Sequence, residues 1–290
     1  MNDVETFEAQ RGRLRRLAYR MLGSVAEAED VVQDAWLRWR RTDQAQITDP
    51  AAWLVRTATR LCLDRLKSAR ARREVYVGAW LPEPLVEAAG AAPAESADER
   101  AEDVSVAFLL ALERLSPLER AVFLLREVFD QDYGRIAAAL DRSEAACRQL
   151  AARAKAHVRE ARPRFEVERA NADRMVAAFM QAARDGDPSQ LAAMLADDAV
   201  LISDGGGKRS AALNPIFGAA KIIRFLTGIS RKYAYYRTAQ YHPARVNGLP
   251  GLVMTDPDGP QTIAFDLDAA GRVCGVYIVR NPDKLGHIGV

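Results

Sequence analysis

Residues 112–155 read LERLSPLERAVFLLREVFDQDYGRIAAALDRSEAACRQLAARAK. Ser116 followed by Pro117 is a helix start, because the serine oxygen can cap the first turn and proline lacks an N–H that would be unpaired there anyway. LERAVFLLREVFD forms that helix. DYGRIAAAL follows, then the short break DRS, then EAACRQLAARAKAHVRE. Two helices joined by a tight turn make a helix-turn-helix, whose second member enters the major groove. That member begins after Ser143. Its expected exposed positions are Glu144, Arg148, Gln149, Ala152, Arg153 and Lys155, while Ile136, Leu140, Ala146 and Leu150 are expected to be buried. Arginine and glutamine can make paired bonds to base edges, and lysine meets phosphate. Taken alone, the stretch also fits a basic, solvated helix of an all-helical domain.

Upstream, Leu14, Leu17, Ala18, Met21 and Leu22 follow a helical period that Gly23-Ser24 stops. Ser24 can cap a second helix, with Glu27 three residues on. Asp49-Pro50 opens a third, AAWLVRTATRLCLDRLKSARARRE at 51–74. The three form one helical unit over roughly residues 7–73. The next stretch holds prolines at 82, 84 and 93 among small and acidic residues, and reads as an extended linker.

After about residue 165 the pattern changes. An amphipathic helix through Met175, Phe179, Leu191 and Leu195, interrupted at DGDPSQ, precedes the strand-like runs AVLIS, YYRTAQYHPARV, LVMT, QTIAFDLD and VCGVYIV. The turns NGLPG, DPDGP and AAGR predict antiparallel hairpins, and GAAKIIRFLTGI lies among them as a helix. The expected class is multidomain: two all-α units and a C-terminal α+β domain with a curved sheet.

Net charge is only +2, so its distribution is more informative than its total. Residues 53–73 carry seven basic groups against Asp64, and residues 142–164 carry seven against Glu144 and Glu160. The intervening 74–103 has eight acids and the single base Arg100, giving two basic modules around an acidic connector. Cys62, Cys147 and Cys274 lie too far apart in sequence to suggest a disulfide framework or a zinc knuckle. No apolar run reaches the ~20 residues of a membrane helix, and no secretion core opens the chain, so a cytoplasmic protein without membrane contact is expected.

Three motifs in order and spacing, AEDVVQDAWLRWRR at 28–41, the helix at 51–74 and the opening stretch, resemble regions 2 and 4 of the extracytoplasmic-function RNA polymerase sigma factors. The resemblance implies a protein that binds core RNA polymerase and promoter DNA without a cofactor. It puts Asp30, Val31, Gln33, Asp34, Trp36 and Leu37 at the β′ clamp helices; Val31, Ala35 and Trp36 also read as core. It puts Trp53, Arg56, Arg60, Arg65 and Lys67 on the melted minus-10 strand, where a cationic track and an aromatic surface suit unpaired bases. Arg60 stands where the family commonly has asparagine. Arg148, Gln149, Ala152, Arg153 and Lys155 fall on the minus-35 duplex, and the β flap is a further expected partner.

The chain is longer than most of that family, and VYVGAWLPEP, DGGGK and NPDKL resemble a subgroup carrying a SnoaL-like, NTF2-type extension. The expected organisation is region 2 at 1–73, linker at 74–103, region 4 at 104–165 and the added domain at 166–290. Trp80-Leu81-Pro82-Glu83-Pro84 is a stiff segment with two apolar anchors, suited to a groove or merely a spacer. The resemblance assigns it, with Asp204, Gly205, Gly206, Gly207 and Lys208 and with Asn281, Pro282, Asp283, Lys284 and Leu285, to an interdomain contact that regulates the protein in cis.

Catalysis is not expected. His242 adjoins a proline and His287 lies in the tail, neither has an evident acid partner, and Asp204 and Asp266 read as surface or turn carboxylates ahead of the alternative of pocket carboxylates. A metal site is likewise not expected. The competing class is a stand-alone helix-turn-helix regulator that senses a small molecule through the C-terminal domain.

Overall fold

The computed structural model describes residues 3–74, 76–88, 105–159, 169–233 and 239–288. The acidic run from 89 to 103, the basic residues beyond Arg159 and the start of the YYRTAQ run lie outside them. The chain forms two compact units, one of residues 1–75 with 108–162, the other of 76–107 with 163–290.

The first unit opens with α1 (Asp3–Leu22), α2 (Val25–Arg41) and α3 (Pro50–Glu74). Gly23, at φ +69°, turns the chain out of α1. The Ser24 hydroxyl then accepts from the Glu27 N–H at 3.2 Å, and Asp49 accepts from the Ala52 N–H at 3.0 Å ahead of α3. Leu14, Leu17, Val31, Ala35 and Leu54 are fully buried where the three helices meet.

The same unit contains α4 (Val106–Glu113), α5 (Pro117–Phe123), a π-type turn at Leu124–Val128, α6 (Tyr133–Leu140) and α7 (Glu144–Arg159). Ser116 and Glu119 form a reciprocal capping box. The helix expected to run unbroken to Asp130 instead widens at Leu124, and Asp130 itself takes φ +49°. Asp141, at φ +56°, makes the tight turn between α6 and α7. On α7 the fully buried positions are Cys147, Ala151 and Ala154, whereas Ala146 and Leu150 are only half-buried. The buried face is thus offset from the sequence expectation.

The buried guanidinium of Arg120 ties the two helical modules together, donating to the Met21 carbonyl and to Glu113, both at 2.7 Å. Burial lowers its pKa to about 10, which leaves it charged at neutral pH.

The second unit is a seven-stranded sheet in the order β1-β4-β5-β6-β7-β2-β3. Its strands are β1 (Val86–Ala88), β2 (Leu195–Asp204), β3 (Ile216–Phe217), β4 (Tyr241–Val246), β5 (Leu249–Asp256), β6 (Gly259–Leu267) and β7 (Val273–Val279). Helices α8 (Arg169–Asp185), α9 (Pro188–Met194) and α10 (Ala219–Lys232) accompany it, and Phe179, Leu191, Ile222, Met254, Phe265 and Val276 belong to the core they share. The helix read through DGDPSQ is two helices: Gly186 takes φ +65° and Asp187 caps the second.

The hairpins β4-β5, β5-β6 and β6-β7 are antiparallel as predicted, with Asn247 and Gly248 both at positive φ in the first turn. The strand β2 departs from that scheme. It pairs with β7 in parallel, because 68 residues of crossover (205–272) separate them rather than a turn.

The largest correction concerns the linker. Residues 76–88 are not a free spacer but part of the second unit, where β1 adds antiparallel to the β4 edge with Val86 opposite Val246. Asn247 fixes this register, donating its N–H to the Leu85 carbonyl at 2.8 Å and accepting from the Leu85 N–H at 3.3 Å. No helix among the described residues is long and apolar enough to cross a membrane.

Candidate functional site

Three faces carry the residues singled out by sequence. On α2, Asp30, Gln33 and Leu37 are exposed and Asp34 half-buried, at the three- and four-residue spacing of one helical face. Leu37 keeps 45 % of its surface in water, a large apolar group on an otherwise polar stripe. Val31 is a correction to the expected partner surface: it has no exposed area and supports the helix from beneath. Trp36 packs on Phe7, ring centroids 4.9 Å apart, with Arg40 over its other side.

On α3, advancing ~100° per residue puts Trp53, Arg56, Arg60 and Lys67 within an arc of about 60° and Arg65 on the opposite side. The contacts follow that division. Arg65 leaves the expected DNA-binding set and bridges back to α2, donating to Asp34 at 2.8 Å and Asp30 at 3.2 Å. Burial would lower its pKa, but these carboxylates outweigh it and raise it. The helix face is computable from the sequence, and a count of charges alone overlooks it.

The Trp53 ring lies 5.5 Å from that of Trp39, tilted by 55°. Trp39 is itself fixed by its indole N–H on the Asp3 carbonyl at 2.9 Å. Arg56 is exposed, and Lys67 pairs with Asp64, one turn away. Arg60 donates to the Ala139 carbonyl on α6 at 3.1 Å. Beside that bond is a cavity of about 140 Å³, lined from α3 by Ala52, Val55 and Arg56 and from the facing segment by Gln131, Arg135 and Ile136. Part of the cationic stripe on α3, though exposed, is therefore engaged by the helix-turn-helix module through Arg60.

On α7, Arg148, Gln149, Ala152, Arg153 and Lys155 are all exposed. Arg148 pairs with Glu144 at 2.6 Å and sits 5.1 Å over the Tyr133 ring. Arg153 reaches Glu119 at 3.5 Å, and Lys155 reaches Glu127 at 3.0 Å. Such solvated pairs contribute about 0–1 kcal/mol, so phosphates or base edges can displace them at little cost.

In the second unit the residues expected at an interdomain contact converge on one carboxylate. Asp204 ends β2 with no exposed surface, which overturns its reading as a surface or turn acid. It accepts from the Tyr76 hydroxyl at 2.6 Å, the Leu81 N–H at 2.8 Å, the Gly206 N–H at 3.0 Å and the Lys284 ammonium at 2.8 Å. Its main-chain carbonyl accepts from the N–H groups of Arg280 and Asn281. Lys284 also donates to the Leu81 carbonyl at 2.5 Å and lies 4.4 Å from the Trp80 ring centroid. Burial first, then the bond to Asp204, raise the Tyr76 pKa above the ordinary tyrosine range.

The glycines are required by geometry. Gly206 is at φ +61°, and a β-carbon there would lie 2.3 Å from the Asn281 amide. That amide donates to the Tyr76 hydroxyl at 2.8 Å, while Lys208 and Asp283 pair at 2.6 Å outside it. Pro82, Glu83 and Pro84 are buried, and His287 holds them, one ring nitrogen 3.2 Å from Glu83 and the other 2.8 Å from the Pro84 carbonyl. Gly205, Gly207, Pro282 and the buried Leu285 complete the two motifs around this clasp. Tyr76 and His287 belong to the clasp, although sequence reasoning did not assign them to it.

Comparison with known proteins agrees with this layout. The family model for sigma-70 region 2 matches residues 6–72, and that for sigma-70 region 4 matches residues 105–158. The chain is 38 % identical over 297 aligned residues to the ECF RNA polymerase sigma factor SigJ of Mycobacterium tuberculosis, covering 97 % of this chain and 93 % of that one. A probable ECF sigma factor of the same species, SigI, is 38 % identical over 192 residues, 65 % of each chain. The crystal structure of M. tuberculosis SigJ superposes with a TM-score of 0.79 at 36 % identity, over 98 % of both chains.

Proposed function

This chain belongs to the extracytoplasmic-function RNA polymerase sigma factors, and from that premise we propose how its faces divide the work of promoter-specific initiation. The outer stripe of α2, Asp30, Gln33, Asp34 and Leu37, meets the β′ clamp helices. Trp53, Arg56, Arg60 and Lys67 on α3 take the melted minus-10 strand, the ring stacking on a base and the cations tracking phosphates. Helix α7 reads the minus-35 duplex through Arg148 and Gln149, with Arg153 and Lys155 on the backbone. The β flap docks on the region-4 module.

The C-terminal unit gates this activity in cis. The observation that carries this reading is the Asp204 clasp, which takes up residues 76–88, the segment leaving the minus-10 helix on its way to region 4. Held by the clasp and by β1, these thirteen residues add no slack of their own to the connection. Released, they add up to roughly 45 Å of contour at ~3.5 Å per residue. The bond from Arg60 to α6 favours the same view, since it must break before that guanidinium can turn to a single strand.

Promoter-dependent transcription with purified core polymerase tests both parts, comparing the full chain, a chain ending near residue 165 and a Lys284→Ala chain. The loosened clasp is expected to give more transcript than the full chain. Equal output from all three ends the gating proposal, and no promoter-specific transcript from any of them ends the division of faces.

A further inference from the structure

Between α8, α10 and the inner face of the sheet lies a cavity of about 50 Å³. Its walls are apolar, with Phe179, Leu226, Ile263, Phe265 and Ile278 among them. Three polar residues interrupt that lining, Gln261, Arg184 and Ser230, and the Ser230 hydroxyl already donates to the Arg184 carbonyl at 2.6 Å. Gln261, on β6, has no exposed surface, and its side-chain oxygen has no hydrogen-bond partner among the described residues. Arg184, on α8, is oriented by a bond to the Ala239 carbonyl and by the Tyr241 ring 4.6 Å away, which leaves its buried Nε–H without an acceptor among the described residues.

The orientation of the Gln261 amide follows from its neighbour. Its NH2 group donates to Asp256 at 3.2 Å. The Asp256 side chain is itself buried and accepts from the guanidinium groups of Arg209 and Arg280, so both of its oxygens already serve as acceptors. A reversed amide would set oxygen against oxygen. The carbonyl of Gln261 is therefore committed away from Asp256, and a buried acceptor left in that state is costly.

We propose that this cavity is a binding site for a compact, neutral, mostly apolar molecule bearing one hydroxyl. A hydroxyl donates one hydrogen bond and accepts others, which matches an unpaired acceptor and an unpaired donor lining one chamber. At 10–15 Å³ per water position, the space suits a ligand of about four or five non-hydrogen atoms. A cation is disfavoured by the Arg184 guanidinium in the lining, and an ionised group of either sign by the mostly apolar walls.

The test uses the full chain and two probes with one carbon skeleton, cyclobutanol and cyclobutanone, titrated while the methyl resonances of Ile263, Val276 and Ile278 are followed. The alcohol is expected to saturate those shifts with a Kd in the millimolar range, as about five heavy atoms allow. The ketone keeps the acceptor and loses the donor, so its Kd should be roughly tenfold higher. In a Gln261→Met chain the two Kd values should converge. No saturable shift from the alcohol up to about 100 mM, as for a cavity holding only ordered water, overturns the proposal. Equal affinity of alcohol and ketone for the unmodified chain also overturns it, and that comparison needs no variant to fold.

Discussion

On α7, Arg148 and Lys155 are paired with Glu144 and Glu127 while 57 % and 49 % of their side chains remain in water. Around Asp204 the same kinds of group are packed away, the carboxylate at 0 % and Lys284 at 12 %. A solvated pair keeps its ions hydrated and exchanges partners freely. A buried pair has lost that hydration and depends on every bond it makes. The exposed face of α7 is thus built for substitution of one anion by another, and the clasp for persistence until something competes for the whole set.

The sharpest way to break this contrast is Asp204→Ala. It strands a buried ammonium and removes the acceptor of the Tyr76 hydroxyl and the Leu81 N–H, so the second unit should lose about 3–5 kcal/mol in denaturant unfolding. Hydrogen exchange at the Leu81 and Leu85 amides should quicken with it. A loss below ~1 kcal/mol would mean that the clasp is as exchangeable as α7.

Next in size is Arg148→Ala, expected to cost about 1–3 kcal/mol of discrimination at one base pair of the minus-35 element in competition binding. A uniform loss over all sequences would assign Arg148 to phosphate instead.

Tyr76→Phe removes one hydrogen bond to a charged group and should cost about 1.5–3 kcal/mol. It also carries a pH signature. The Tyr76 pKa is raised in the folded protein, so its stabilisation is complete below the unfolded value of about 10 and is lost as pH climbs towards the folded one. The Phe chain should lack that alkaline decline in its melting temperature.

The smallest effect on stability is expected from Lys155→Ala, under about 1 kcal/mol. Its promoter affinity should nevertheless show a log–log salt slope reduced by about 1. An unchanged slope would remove Lys155 from the DNA face.

What was legible in the sequence tracks how local its cause is. Ser24 and Ser116 cap helices through atoms three residues away, and the starts of those helices and the Asn247-Gly248 turn are where patterning puts them, whereas the short helix capped by Asp187 reads in sequence as a continuation of the one before it. The clasp has no local cause. Tyr76 and Asp204 are 128 positions apart and Leu81 and Lys284 are 203 apart, so nothing near Asp204 marks it as buried. Prolines at 82 and 84 made the linker look unpaired, yet the strand begins just beyond them at Val86. The exchange of Arg65 from DNA to Asp30 and Asp34 lies between these cases, since helical phase predicts its direction and only packing supplies its partners.

The pairing of β1 with β4 also sets a timetable. Val86 leaves the ribosome 160 residues ahead of its partner Val246. At about 5–20 residues per second, roughly 8–30 s of synthesis separate the two. Both helical modules are complete within that interval, while β1 has no sheet to join. Under the proposed gating, each nascent chain therefore passes through a period with its helical modules made and its gate unbuilt.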